Sequence, residues 1–247
     1  MSYAVLTREL EADSPYASAL ATLGLVSIAM PVTRTAPPGD PGALSRALAA
    51  GGHAAVVITS PRAAAALAEA RGGREIGEVW AVGPSTLRAL TTAGIHGVHP
   101  EGVLDGTSLA HAMLGRRELA GRRVLVPRAE HGREEVSEIL RAAGVEIDLV
   151  VAYRTVPAPL DDPALTPGRD LVAAGRAEVV CVFAPSQVTA LRAIVGDLGG
   201  LTSRFAAIGD TTAAALREAG VGEVAVATAP TPEGLATAVG AVYPGRR

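Results

Sequence analysis

Short, continuously apolar runs alternate with amphipathic stretches along the chain. Ten such runs predict β-strands, because a parallel strand covered on both faces is apolar on both. They are residues 4–7, 26–32, 54–59, 78–83, 97–100, 122–127, 147–155, 179–184, 204–209 and 223–228. Apolar positions at helical spacing between them predict helices. These include residues 14–23, 63–70, 86–93, 134–143, 188–195 and 212–219. The repeated strand-then-helix order is typical of an α/β fold with parallel sheets.

One long segment occurs twice. Residues 6–38 align without a gap on residues 126–158, at a constant offset of 120 (126 minus 6), so that Arg8 corresponds to Arg128. A half-chain unit that is used twice predicts two similar lobes, and ligands often bind in a cleft between lobes. The stretches that follow each copy also resemble each other, 56–67 with 180–191 and 81–95 with 206–221.

Composition predicts a compact, cytoplasmic protein. With 49% apolar residues in 247, the chain can bury a sizeable core, and no apolar run approaches the roughly 20 residues that a membrane helix needs. The first residues enter a strand pattern directly, without the basic and apolar regions of a secretory signal. The single cysteine, Cys181, lies in an apolar run and is expected to be a buried thiol.

The basic residues limit the chemistry. All 22 are arginine, so Schiff-base catalysis and a phosphate-loop lysine are excluded. Arginine binds carboxylates and phosphates with a planar fork, so an anionic ligand remains open. The net charge of −3 and the low aromatic content of 3% argue against a nucleic-acid partner.

Small and hydroxylated residues follow five predicted strands, at turns that lead into a helix. Ligands of open α/β sheets bind at the carboxyl ends of the strands, and free N–H groups at helix N-termini favour anions. Serine and threonine at such turns also serve as ordinary helix N-caps, which is the alternative interpretation. The turns are residues 7–8, 59–61, 83–86, 184–186 and 209–212.

Motifs at and around these turns resemble those of the uroporphyrinogen-III synthase family. Their order and spacing extend over nearly the whole chain. The motifs are TSPRA at 59–63, VGPST at 82–86, GREE at 132–135, VVAYRTVP at 150–157, IGDTT at 208–212 and TPEGL at 231–235.

The resemblance implies a particular domain organisation. It predicts two similar lobes, each a parallel sheet flanked by helices, joined by a two-stranded hinge, with one lobe discontinuous. Residues 1–35 would join 156–247 in the discontinuous lobe, and residues 36–155 would form the second lobe. The chain would cross between the lobes near 33–38 and 153–159, where prolines favour an extended backbone.

The resemblance also implies a reaction. Hydroxymethylbilane, a linear tetrapyrrole, loses water and closes to uroporphyrinogen III with inversion of ring D, in a step classed as that of a lyase. The leaving hydroxyl needs a proton donor, for which Tyr153 is the candidate; a half-buried structural tyrosine is the alternative. Thr211 or Thr212 matches the family's functionally important threonine, and Thr211 is the catalytic candidate. No metal or organic cofactor is implied.

The substrate carries several carboxylates, so backbone N–H groups, hydroxyls and arginines are expected to bind it. For the arginines, a solvated charge or a structural ion pair is the alternative. Two positions depart from the family pattern: Ala184 replaces a frequent serine, and Pro84 removes a backbone donor. The candidate substrate-binding residues are Thr7, Arg8, Ser60, Ser85, Thr86, Arg128, Ser186, Gly209 and Thr212.

Other functions remain as alternatives or are excluded. A hinged, two-lobed binding module without catalysis would have the same cleft, although a secretory signal would favour it and none is present. No Gly-x-Gly-x-x-Gly follows a strand, and His96 and His99 have no third metal ligand at suitable spacing. The expected partners are hydroxymethylbilane and, transiently, hydroxymethylbilane synthase, with no nucleic acid or membrane. A monomer is expected.

Overall fold

The computed structural model describes residues 1–116 and 118–243. Within it the chain divides into two compact units. Residues 1–34 together with the chain from 156 onward form one, here called the discontinuous unit. Residues 35–155 form the other, here called the continuous unit.

Strands and helices alternate along the described residues, and a 3-10 turn at Pro163–Leu165 precedes the seventh helix. The strands are β1 (Ser2–Leu6), β2 (Leu25–Ala29), β3 (Thr33–Ala36), β4 (His53–Ile58), β5 (Glu78–Ala81), β6 (Gly97–Val98), β7 (Arg123–Ala129), β8 (Glu146–Pro157), β9 (Ala177–Val182), β10 (Arg204–Ala207) and β11 (Val224–Val226). The helices are α1 (Pro15–Ala21), α2 (Ala43–Ala50), α3 (Pro61–Arg71), α4 (Pro84–Thr92), α5 (Gly106–Arg116), α6 (Glu135–Ala142), α7 (Thr166–Ala173), α8 (Pro185–Val195), α9 (Asp210–Glu218) and α10 (Pro232–Val242).

The strands form two sheets. The five-stranded sheet has the order β11-β10-β9-β1-β2, and the six-stranded sheet has the order β3-β8-β7-β4-β5-β6. All strand pairings whose register is described are parallel. The α/β class with parallel sheets flanked by helices, predicted from the sequence, is therefore confirmed, whereas the two-stranded hinge stays a prediction.

Both faces of the five-stranded sheet are covered by helices. Ala4 and Leu6 of β1 share a buried cluster with residues of α1 and α10, whereas Val5 belongs to a cluster with residues of α7, α8 and α9. Successive side chains of a strand point to opposite faces, so a continuously apolar strand needs helices on both. Cys181 of β9 lies in this core, as predicted, and burial raises the pKa of its thiol to about 12.

The six-stranded sheet is covered in the same way. Val56 and Ile58 of β4 pack with residues of α2, α3 and α4 on one face. Ala55 and Val57 pack with residues of α5 and α6 on the other. The apolar runs that predicted the strands therefore reflect two separate contact surfaces for each strand.

The duplicated segment folds differently in its two copies. β8 is one strand of 12 residues, whereas the equivalent stretch of the first copy is divided into β2 and β3. Pro31 interrupts the first copy, and Val151 occupies the equivalent position in β8. Proline has no N–H to donate to a strand ladder, which accounts for the break. β3 is not among the strands predicted from the sequence, because residues 33–38 were expected to form a crossing between the lobes.

Gly83 is the N-cap of α4 and has a backbone conformation that only glycine adopts readily. Its φ is 79° and its ψ is 156°. Gly209, the equivalent N-cap of α9, is fully extended, with φ 177° and ψ 174°. An added Cβ would meet no atom within 4 Å at either glycine, so only the dihedral strain differs between them.

We therefore expect Gly83→Ala to lower the free energy of unfolding by about 1–3 kcal/mol more than Gly209→Ala. Both changes replace a glycine N-cap by alanine, so the cap cost is common to the two variants. Urea denaturation followed by circular dichroism measures the difference. Equal losses in the two variants would show that the strain at Gly83 is not significant.

Cys181 provides a probe of native packing. Its side chain is fully buried and its thiol stays protonated at neutral pH. We expect no reaction with Ellman's reagent at pH 8 in the native protein, and reaction of the one thiol after unfolding in urea. Rapid labelling of the folded protein would mean that β9 opens without global unfolding.

Candidate active site

Candidate residues lie at the carboxyl ends of the strands in both sheets. In the continuous unit, Ser60 follows β4, Ser85 follows β5, and Arg128 and Tyr153 lie towards the ends of β7 and β8. Parallel strands end at the same edge of a sheet, so the turns that follow them are neighbours.

Ser60 and Tyr153 are directly hydrogen-bonded. The Ser60 Oγ lies 3.1 Å from the Tyr153 hydroxyl oxygen and also accepts a hydrogen bond from the Ala63 N–H at 3.1 Å. Ser60 is therefore the N-cap of α3 and the partner of the phenol at the same time. The bond links the end of β8 to the start of the helix after β4, and it fixes where the phenol oxygen lies.

Arg128 is tied to the loop that follows β7. Its Nε donates to the Ala129 carbonyl at 3.0 Å, and its two terminal nitrogens donate to the Glu134 carboxylate at 2.7 Å and to the Glu130 carbonyl at 3.1 Å. Only 11% of the side chain is exposed. These bonds match the ion-pair alternative of the sequence analysis and leave only part of the guanidinium for a ligand.

A cavity of about 380 Å³ in the continuous unit contains several of these groups. Thr59, Arg128 and Tyr153 line it, together with Arg133 and the first residues of α5. Two guanidinium groups, two threonine hydroxyls and a phenol line this cavity together with the carboxylates of Asp105 and Glu135, so only the side near the guanidinium groups is suited to a carboxylate.

In the discontinuous unit, Thr7 has a structural environment. Its side chain is fully buried, and its Oγ1 lies 2.7 Å from the Gln187 Oε1 and 3.1 Å from the Cys181 carbonyl oxygen. The same Gln187 oxygen accepts a hydrogen bond from the Phe183 N–H at 2.9 Å. Thr7 and Gln187 thus brace the turn before α8, and the predicted ligand contact of Thr7 has no exposed surface to support it here.

Arg8 differs from its repeat equivalent, Arg128. It is exposed, and its guanidinium carbon lies 5.2 Å from the centre of the Tyr16 ring and 5.1 Å from that of Phe183. Stacking on two rings orients the guanidinium and leaves its edge open to solvent.

The first turns of α4 and α9 each contain two hydroxyl side chains, of which one is exposed and one is buried. Ser85 is exposed and Thr86 is buried; likewise Thr211 is exposed and Thr212 is buried. Ser186 at the start of α8 is also exposed. Of the alternative threonines Thr211 and Thr212, the structure therefore offers only the side chain of Thr211 to a ligand.

Three polar residues near these turns were not named from the sequence. Arg62 and Arg133 line cavities, and Gln187 supports Thr7. Arg62 and Arg133 lie within the motifs TSPRA and GREE, so they could have been selected. Gln187 lies in the first turn of α8, where a glutamine side chain often bonds back to the preceding backbone.

Two parallel sheets, each with polar turns at the carboxyl ends of its strands, define the class: an α/β protein with candidate anion-binding turns in each unit. The described residues contain no cluster of side chains that could hold a metal ion, and none of their helices is long and apolar enough to cross a membrane.

The sequence profile of the family described as uroporphyrinogen-III synthase HemD matches residues 14–237, and the chain belongs to this family. It is thus an enzyme of tetrapyrrole biosynthesis, and hydroxymethylbilane is its substrate. No curated protein sequence matches the chain.

Two solved structures of this family are similar in fold. The uroporphyrinogen-III synthetase of Helicobacter pylori is 16% identical with a TM-score of 0.63, over 98% of this chain and 100% of that one. A mutant uroporphyrinogen III synthase of Thermus thermophilus is 20% identical with a TM-score of 0.55, over 98% of each chain.

The N-caps of α3 and α8 give a matched stability test. Ser60 and Ala184 have nearly the same backbone angles, −156° and 154° against −160° and 152°, and each precedes a proline. Only Ser60 has a side chain that caps the helix.

We expect Ser60→Ala to destabilise the protein by at least about 0.5–2 kcal/mol, because it removes the cap bond and also the hydrogen bond to Tyr153, and Ala184→Ser to stabilise it by adding one cap bond. Urea midpoints of the two variants and the wild type measure both effects. Shifts of the same sign would contradict a capping role for these positions.

Proposed function

We propose that the protein is a lyase that removes water from hydroxymethylbilane and closes it to uroporphyrinogen III with ring D inverted. Membership of the uroporphyrinogen-III synthase family over residues 14–237 is the observation that carries the proposal. The comparisons give no support to the alternative, a hinged binding module without catalysis.

We assign the proton donor to Tyr153. Its phenol would protonate the leaving hydroxyl; the C–O bond breaks, the electron pair leaves with the oxygen, and water departs. The azafulvenium ion that remains is attacked by a pyrrole carbon, and the spiro product fragments and closes in the inverted direction. The proton lost from the last ring carbon returns to the phenolate, so the donor is regenerated and water is the only by-product.

The hydrogen bond from Ser60 supports this role. Ser60 can donate its hydroxyl proton to Tyr153 while its oxygen still accepts the Ala63 N–H, so the phenol proton stays available for the leaving hydroxyl. Ser60 is therefore better described as a positioning residue for Tyr153 than as a substrate ligand, since both of its observed partners are protein groups.

The substrate carboxylates would be bound by the exposed groups at the strand ends. We assign this role to Arg8, Ser85, Ser186 and Thr211, and to the remaining donors of Arg128. Gly209 would contribute close backbone approach, because no side chain stands in front of the N-terminus of α9. Thr7, Thr86 and Thr212 would act indirectly, by holding the turns in shape.

Three further parts of the proposal rest on the sequence alone. They are a cytoplasmic location, a monomeric state, and a transient contact with hydroxymethylbilane synthase that delivers the unstable substrate.

The isomer ratio of the product tests the proposed reaction. Hydroxymethylbilane generated in situ closes spontaneously to type I, so oxidised type I and type III uroporphyrins are separated with and without the protein. We expect type III in excess with the protein present. Type I alone, from protein that is shown to be folded, would overturn the enzyme assignment.

Tyr153→Phe tests the proton donor. We expect kcat to fall about 100-fold, the lower end for loss of a general acid, because the unassisted reaction also proceeds. KM should change little, since the aromatic ring is kept. Tyr3→Phe, at the amino end of β1 and away from the carboxyl ends of the strands, is the control and should have wild-type kcat. An unchanged kcat in Tyr153→Phe would assign the phenol a structural role only.

A further inference from the structure

A groove of about 750 Å³ lies in the continuous unit beside α2 and α3. Its lining is mainly apolar and includes Pro37, Pro38, Leu44 and Ala66. Arg62 and Tyr153 also line it, and Tyr153 is shared with the smaller cavity that contains Arg128. The volume is within the range of about 300–1,000 Å³ that is typical of small-molecule sites.

In the discontinuous unit, the corresponding helix packs on the sheet. This helix, α7, follows the second copy of the repeat as α2 follows the first, and it packs directly on β1 and β2. Gly168 permits this approach, because a Cβ there would lie 2.5 Å from the Met30 Cβ. Leu165, just before α7, is fully buried in the same core.

The sequence of α2 differs at the position where α7 approaches its sheet most closely. Aligning SRALAA (45–50) with GRDLVA (168–173), at an offset of 123 that allows three extra residues before α7, places Ser45 where α7 has Gly168. Ser45 carries a Cβ, lines the groove, and donates its hydroxyl to the Ala70 carbonyl of α3 at 3.0 Å. α2 therefore packs mainly on α3, only Leu44 of the helix is buried, and the groove stays open.

Arg62 lies where a cation is unfavourable for the helix. It is in the first turn of α3, beside the positive end of the helix dipole, where acidic residues are preferred. It is exposed and has no hydrogen-bond or ion-pair partner among the described residues. An unpaired guanidinium at the mouth of an open groove, kept at some cost to the helix, indicates a site for an anion.

The second charged side chain of the groove, that of Glu69, indicates how a ligand would be oriented. Glu69 lies on α3 two helical turns beyond Arg62, so the groove has a basic end next to Ser60 and Tyr153 and an acidic end further along. A ligand with carboxylates and a flat apolar ring would place its carboxylates at the basic end.

We propose that this groove binds the pyrrole ring that carries the hydroxymethyl group of the substrate, with a ring carboxylate on Arg62. This inference rests on the proposed function. The ring fills the apolar lining, and its leaving hydroxyl is directed to Tyr153, which lies at the same end of the groove as Arg62. Arg62 is then a specificity residue for the first ring.

Kinetics of Arg62→Gln test the assignment in the complete enzyme. We expect KM for hydroxymethylbilane to rise about tenfold, the effect of one charge-assisted hydrogen bond, with a smaller change in kcat and a retained excess of type III. Arg62→Lys should recover part of the affinity because it keeps the charge. Arg141→Gln, an exposed arginine of α6 outside the groove, is the charge-matched control and should keep the wild-type KM.

The melting temperature of the Arg62→Gln variant distinguishes a ligand-binding role of Arg62 from a structural one. Removing a cation from the first turn of α3 should leave Tm unchanged or raise it, while the affinity falls. A lowered Tm together with an unchanged KM would overturn the proposal and make Arg62 a structural residue.

Direct binding is measured with porphobilinogen, a single pyrrole with one acetate and one propionate. We expect it to shift the backbone amide resonances of Thr35, Ala36 and residues 62–70 in the wild type. Arg62→Gln and the groove-filling Ala66→Leu should both lose these shifts. Shifts confined to other residues, or retained in both variants, would overturn the groove assignment.

The two proposals fail in different ways. If the wild type gives no excess of type III, the proposed function fails. If the wild type gives type III but Arg62→Gln keeps the wild-type KM, only the groove assignment fails.

Discussion

Burial of strand side chains on both faces of a parallel sheet is the constraint on which the structure depends. In β1, Val5 faces one helical layer while Ala4 and Leu6 face the other, and β4 repeats the arrangement with Ala55, Val56, Val57 and Ile58. Because all strands of such a sheet run in one direction, their carboxyl ends and the helix starts that follow lie at one edge. The packing of the core thereby determines where polar turns can lie, and it places the candidate functional residues at that edge of the sheet.

The candidate site combines groups that are fixed by the protein with groups that are open to a ligand. The phenol of Tyr153 is held by Ser60, and Arg128 is held by its own loop through Glu134. Arg62 of the same unit, by contrast, has a guanidinium group that no acidic side chain neutralises among the described residues. A site of this kind positions the reacting end of a flexible polyanion and attracts its carboxylates, which fits a reaction that depends largely on conformation.

Much of the fold could be predicted from the sequence, because continuous apolar runs mark strands that are buried on both faces. The ten predicted strands are all present, with ends displaced by a few residues where strand and turn share apolar character. β3 was missed because its four residues carry no apolar run.

The site was less predictable. The pattern of serine and threonine after strands marks helix starts, but it does not tell which hydroxyl of Ser85 and Thr86, or of Thr211 and Thr212, turns inward. Nor could it show that Thr7 is bonded to Gln187, since that contact joins residues 180 positions apart.

Because a long segment of the chain is duplicated, the two halves can be compared position by position. Where α7 has Gly168, α2 has Ser45, and this small difference in side chain separates a helix that is part of a core from one that borders an open groove. The copy with the close-packed helix can carry the stability of its own unit without any ligand. The other copy is then free to leave part of its interior unfilled, so that a small molecule supplies the missing packing only while it is bound.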